Sequence, residues 1–188
     1  MSLKVNENKV QFGLDELHYA VITEGTDGTI TFGTPVKVPG AVSISMDPEG
    51  EETVFYADNV RYWIGQDNNG YSGSIEIAKV PEQMRTDIWG DTLDDNGVLV
   101  ENADAQIKEV ALLGRFSGDK NKNLFALYRV TLSRPSASHN TTEGSKTPQT
   151  ATIDYNAIPL PNGHVKATTT STTDETVKSG WFSTVYTT

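Results

Sequence analysis

One set of candidates for acid–base or metal chemistry in this chain is its histidines, His18, His139 and His164. They lie far apart, and none stands in H-E-x-x-H or another ligand spacing. Histidines so scattered are expected as surface or strand residues. The chain has no cysteine, so disulfides, thiolate catalysis and cysteine-based zinc sites are excluded. Gly70-Tyr-Ser-Gly73 approaches a nucleophile elbow, but G-x-S-x-G needs glycine where Ser74 stands. A stretch from Thr92 places Asp94, Asn96 and Gly97 as a calcium loop would. However, Ala103 occupies the place of the bidentate glutamate, and a plain turn is expected. Neither glycine-rich phosphate loop occurs. Asn140-Thr-Thr142 fits the glycosylation pattern, but no secretory leader is expected from the polar N-terminus, so the match carries no weight. The carboxylates between Asp47 and Asp58 could form a catalytic pair; the expectation is a solvated acidic segment. No enzyme, no cofactor and no metal is expected.

Charge narrows the partners. The formal net charge is -10. Such a chain should not hold nucleic acid by neutralising phosphates, although it could sit beside DNA if the contact were non-adhesive. Mean hydropathy is -0.41, and no apolar run approaches the roughly 18 residues of a membrane span. No membrane partner is expected, and assembly in the cytosol is the default. The 188 residues suit one domain, able to bury roughly 70% of its unfolded surface in a core.

The elements that would position any site read as mostly strand. Leu17, Tyr19 and Val21 alternate with His18, Ala20 and Ile22, and a Gly/Asp turn leads to a second short strand ending at Phe32. Val42, Ile44 and Met46 alternate with serines, and Ile75 and Ile77 share a face. Val110, Leu112 and Phe116 are expected on one face. So are Leu124, Ala126, Tyr128, Val130 and Leu132, and again Ala151, Ile153 and Tyr155. No alternating strand–helix rhythm appears, so an antiparallel sandwich or open barrel is predicted. One helix is predicted over 81–89. Pro81 is placed at the first helical position, Val80, Met84 and Ile88 form an apolar stripe for packing on the sheet flank, and Gly90 caps the end.

Two stretches resist placement in that core. The 47–70 segment is predicted as a long loop with an acidic start (Asp47, Glu49, Glu51, Glu52) and an aromatic middle (Phe55, Tyr56, Tyr62, Trp63). Aromatics in a long loop favour contact with a partner over free solvation. The 133–148 segment is predicted as a polar loop, and 168–188 as a C-terminal segment beginning in a Thr/Ser cluster.

The ordered set of local motifs resembles a family. Phe12-Gly-Leu-Asp-Glu-Leu-His-Tyr-Ala-Val-Ile-Thr23 is followed by Phe32-Gly-Thr-Pro-Val-Lys-Val-Pro-Gly-Ala-Val42 and Met46-Asp-Pro-Glu-Gly50. Then come Phe55-Tyr-Ala-Asp-Asn59, Asn68-Asn-Gly-Tyr-Ser-Gly73, Arg85-Thr-Asp-Ile-Trp-Gly90, Gly97-Val-Leu-Val100, Leu132-Ser-Arg-Pro135 and Trp181-Phe-Ser-Thr-Val-Tyr186. This order resembles the major tail proteins, or tail tube proteins, of long-tailed siphophages of Gram-positive bacteria.

The resemblance implies a single tail-tube domain over 1–188, mainly β, with two packed antiparallel sheets, a flanking helix and a long arm. It implies a structural virion protein that forms hexameric rings stacking into the tail tube through which DNA is ejected. The implied partners are copies of itself, the tape-measure protein in the lumen, and the tail terminator and distal tail proteins. The arm residues Asp47, Glu49, Phe55, Tyr56, Tyr62 and Trp63 are then expected at inter-subunit contacts. An acidic lumen would repel phosphate and let DNA slide. Rival readings are the inner tube of a contractile tail or tailocin, and a β-sandwich carbohydrate-binding module of a virion.

Overall fold

The computed structural model describes residues 13–118, 122–137 and 148–187. The strands in chain order are β1 (Leu14–Glu24), β2 (Ile30–Phe32), β3 (Val36–Lys37), β4 (Ala41–Ile44), β5 (Asp47–Glu49), β6 (Glu52–Ala57), β7 (Val60–Gln66) and β8 (Gly70–Ile77). After helix α1 (Glu82–Trp89) come β9 (Thr92–Leu93), β10 (Leu99–Val100), β11 (Val110–Phe116), β12 (Leu124–Leu132), β13 (Ser136–Ala137), β14 (Ala151–Ile158) and β15 (Lys166–Thr168). Helix α2 (Glu175–Gly180) closes the order.

One large antiparallel sheet carries the fold. Its path runs β2-β1-β11-β12-β14-β8-β4, with β3 on β1, β5 on β8, β13 on β14 and β15 on β12. The sheet curls until β4, at one end, contacts β1 near the other. The expected antiparallel packing is thus achieved largely by one sheet folding over its own inner face, and among the described residues the hydrogen-bonded path stays open.

The inner face gathers Leu17, Tyr19, Ile75, Ile77, Leu112 and Ile153 into one core with α1. The flank helix packs as its spacing predicts: Val80, Met84 and Ile88 are all buried. Trp89, outside the predicted stripe, is buried too, and its Nε1 donates to the Leu132 carbonyl at 3.3 Å. Pro81 is the N-cap, with extended ψ of 144°, and not the first helical residue. Its extended ψ and missing N–H are both compatible with that place. Gly90 ends the helix at φ 71°, where a side chain would be strained.

A second core lies on the other face of β1, β11 and β12. Ala20, Ala111, Leu113, Leu124, Ala126 and Tyr128 are covered there by Trp181 and Val185 from the C-terminal segment. That segment contains α2, which the sequence reading did not foresee. Asp174 caps it by accepting from the Thr176 N–H at 2.9 Å, and Trp181 Nε1 is anchored on the Phe125 carbonyl at 3.2 Å. Burial on both faces explains why β11 and β12 read as nearly continuous apolar runs.

Bulges correct the predicted faces. On β12 the register slips between the pairs Val110↔Val130 and Leu112↔Leu127. Leu124, Ala126 and Tyr128 therefore face the outer core, while Leu127, Val130 and Leu132 face the inner one. The sequence reading placed Val130 and Leu132 with the first set. On β4 the extra residue is Val42, between Ala41↔Ile77 and Ser43↔Glu76, and its side chain is turned out to 50% exposure. A bulge reverses the alternation that period-two reasoning assumes. Within the expected polar loop 133–148, Ser136–Ala137 is strand β13 on β14. Positions 138–147, with His139 and Asn140, lie outside the described residues.

Candidate assembly surfaces

The 47–70 segment is a β-hairpin, not a loop. β5 pairs with β8 from Asp47↔Ser72 to Glu49↔Gly70. The ladder continues through Asn69 N–H to Glu49 O at 2.8 Å and Asp67 N–H to Glu51 O at 3.1 Å, then into the β6–β7 pair from Glu52↔Gln66 to Ala57↔Val60. Asp58 and Asn59 turn the tip with φ of 51° and 67°. A two-residue turn with both φ positive matches strand twist, and Asp and Asn are among the residues that tolerate it. At the neck, Gly70 has φ 120°, and a Cβ there would meet the Ala157 carbonyl oxygen at 1.9 Å. Only glycine lets the hairpin leave the sheet so close to β14.

Beyond that neck the hairpin is an arm. Among the described residues β6 and β7 pair only with each other. Phe55 sits opposite Trp63, and Val54 opposite Ile64. The register skips Tyr62, whose ring meets Phe55 edge-on at 6.5 Å. Both faces carry large apolar side chains: Phe55, Tyr56, Val60, Tyr62, Trp63 and Ile64 are each 53–70% exposed. Arg61 reaches the Tyr56 hydroxyl at 3.3 Å and Glu52 at 3.8 Å, an exposed pair that adds little stability. An isolated two-stranded hairpin is marginal in water, and monomeric proteins rarely expose large contiguous apolar patches.

Asp47 and Glu49, expected with the aromatics, are separated from them. They lie on β5, in the body, beside the outer face of β4, β8 and β14. That face carries Ser43, Ser45, Ser74, Glu76, Thr152 and Asp154. Glu76 accepts from Ser43 Oγ at 3.2 Å and Thr150 Oγ1 at 2.6 Å, and Ser72 Oγ donates to Glu49. None of these carboxylates has an ion-pair partner among the described residues. Asn156 and Ser72 continue the face as a directly opposed pair. The result is a polar, acidic surface built from one side of three strands.

The chemistry-bearing candidates fall to structural roles. His18 is buried on β1, stacked on Phe182 at 4.4 Å with Nδ1 2.6 Å from the Glu16 carbonyl. His164 is exposed beside Asn162. Asp94 Oδ1 accepts from the Asn96 and Val98 N–H groups at 2.9 and 2.7 Å, so its carboxylate closes the β9–β10 turn. Ser72 lies inside β8, far from any strand-to-helix elbow. Burial, then the Asp87 carboxylate at 2.8 Å, pushes the Tyr19 phenol well above its ordinary pKa and keeps it a donor. Burial raises Tyr155 similarly, and its hydroxyl holds the Ser45 carbonyl at 2.6 Å. No cluster of metal-ligating side chains occurs among the described residues.

Among the described residues the chain is thus a curled β-sheet body carrying an arm with exposed apolar side chains on both faces. The profile of the family described as "Phage tail tube protein" matches residues 1–180. The chain belongs to the phage tail tube protein family, whose members are structural components of the virion tail and not enzymes. Among solved structures, it is similar to a chain of the PVC sheath–tube complex, an extracellular contractile injection system in its extended state. The TM-score is 0.50 at 8% identity, over 86% of this chain and 93% of that one. It is also similar to chains of the anti-feeding prophage cap and baseplate. For the cap the TM-score is 0.47 at 11% identity, over 90% of this chain and 99% of that one. For the baseplate it is 0.49 at 10%, over 92% and 100%. No curated protein matches the chain.

Proposed function

We propose that this protein is the main building block of a siphophage tail tube, forming hexameric rings that stack into a conduit for DNA. The carrying observation is the β6–β7 arm, a hairpin apolar on both faces and paired only with itself among the described residues. Its aromatics, Phe55, Tyr56, Tyr62 and Trp63, contact a neighbouring subunit. Asp47 and Glu49 act from the body beside the arm's neck. The tape-measure protein in the lumen and the proteins at the two tail ends complete the partner set.

The polar face of β4, β8 and β14 faces the lumen in this reading. Its carboxylates repel phosphate, and its hydroxyls offer only weak, exchangeable contacts, so DNA slides without adhering. The inner tube of a contractile tail is the second reading, favoured by the fold shared with a chain of a contractile sheath–tube complex. Co-purification with a sheath protein separates the two.

Replacing residues 51–67 by a short turn tests the arm. The variant should remain folded, since the arm's large apolar side chains are exposed, and should give no tubes in negative-stain microscopy. Normal tubes would overturn the arm's role. Changing Asp154 to Arg should leave tubes intact and slow DNA ejection; an unchanged ejection rate would remove the lumen assignment.

A further inference from the structure

A second apolar surface lies at the far end of β8. Just past Ile77, a cleft of about 360 Å³ opens between α1 and the β9–β10 hairpin. Val80, Leu93, Leu99 and Ala151 line it. Leu93 is 59% exposed, and Val98 and Val100 beside it are 54% and 47% exposed. The volume falls in the range of about 300–1,000 Å³ found for clefts that bury most of a small ligand. Arm and cleft are therefore attached to opposite ends of one strand. At about 3.3 Å per residue, the eight residues of β8 separate them by roughly 25 Å.

We propose that this cleft receives the β6–β7 arm of a second copy of the chain, stacked end-on along the strand direction. The inference rests on the arm being an assembly element and names its receptor. Two different patches at opposite ends of a strand make a heterologous contact. Such a contact closes into a ring or propagates along an axis according to its rotation, and patches set end-on along one strand direction favour propagation. The chemistry is complementary. The arm supplies tyrosine and tryptophan, the residue types that anchor interfaces, and its Glu51, Glu52 and Asp58 exceed its one cation, Arg61. The cleft's charged lining is Lys79, Arg85 and Glu82, net positive. Arg85 is engaged by Asp91 at 3.7 Å, while Lys79 has no ion-pair partner among the described residues. Residues 138–147, which flank the cleft in the chain, contain no apolar side chain.

Zero-length carbodiimide cross-linking of unmodified assembled tubes, followed by peptide mapping, tests the receptor. The expected product joins Lys79 to Glu51, Glu52 or Asp58, and mixed isotope labelling shows it to be intermolecular. Arm carboxylates joined only to other lysines would overturn the cleft assignment while leaving the arm's role intact. A link from Lys79 to Glu7 would overturn it in favour of the chain's own N-terminal segment. In parallel, Leu93→Arg alters an exposed position and should leave melting unchanged while abolishing tube growth beyond single rings. Tubes of normal length from this variant would sink the proposal. The two readings fail separately, because tubes from the 51–67 deletion would remove the arm's role itself.

Discussion

The hairpin from β4 to β8 passes through two environments. Its proximal half, β4 and β5 against β8, lies in the sheet, with Ile75 and Ile77 buried below and serines and carboxylates above. Its distal half, β6 against β7, continues the same ladder with apolar side chains on both faces and, among the described residues, no second layer. The proximal half satisfies its apolar residues within the chain. The distal half carries more aromatic surface and leaves more than half of each large apolar side chain exposed among the described residues. Apolar content alone therefore does not mark a core; what matters is whether one chain brings two apolar faces together.

The sharpest way to break this comparison is to truncate aromatics in the arm. Phe55→Ala with Trp63→Ala should abolish tubes in electron microscopy and change the monomer's unfolding free energy, from urea titration, by no more than about 0.5 kcal/mol. A large loss of monomer stability would show that the arm folds back onto its own body. The converse substitution in the core, Ile88→Ala, removes a side chain that is 0% exposed in the inner core. It should cost about 2–5 kcal/mol in chemical denaturation, and lower tube yield only through the unfolded fraction.

A smaller effect sharpens the contrast at the body's surface. Arg115 grips Asp15 through Nε at 2.8 Å and Nη2 at 2.9 Å. That hydrogen bond outweighs desolvation and holds the Asp15 carboxyl below its ordinary range. A depressed folded pKa contributes stability above the unfolded value of about 3.9, lost as pH falls through the folded one. Asp15→Asn should therefore cost less than about 1 kcal/mol at neutral pH, since the pair is 30% and 39% exposed. The gap from the parent protein should close in acid, and denaturation midpoints across pH would show it.

Much of the body was legible in the chain. The Val80, Met84 and Ile88 stripe, the Gly90 cap, and the Ile75/Ile77 and Ala151/Ile153/Tyr155 faces follow from local spacing, and each packs as that spacing predicts. The aromatic set was expected as a partner surface, and its hairpin geometry was not foreseen. Asp58-Asn59 between Phe55 and Val60 was the available signal, a two-residue turn flanked by strand-formers. Trp181 was read only through resemblance; its role as cover for the second core depends on a distant strand, β12.

The sequence by itself determined the β class, the flank helix, the absence of thiol chemistry and the concentration of aromatics between 55 and 63, because periodicity and composition are local properties. Only the tertiary structure decided that Val130 and Leu132 turn inward, that Asp47 and Glu49 part company with the aromatics, and that arm and cleft lie at opposite ends of β8. Those outcomes depend on cross-strand register. A bulge of one residue changes it, and no single strand's spacing encodes it.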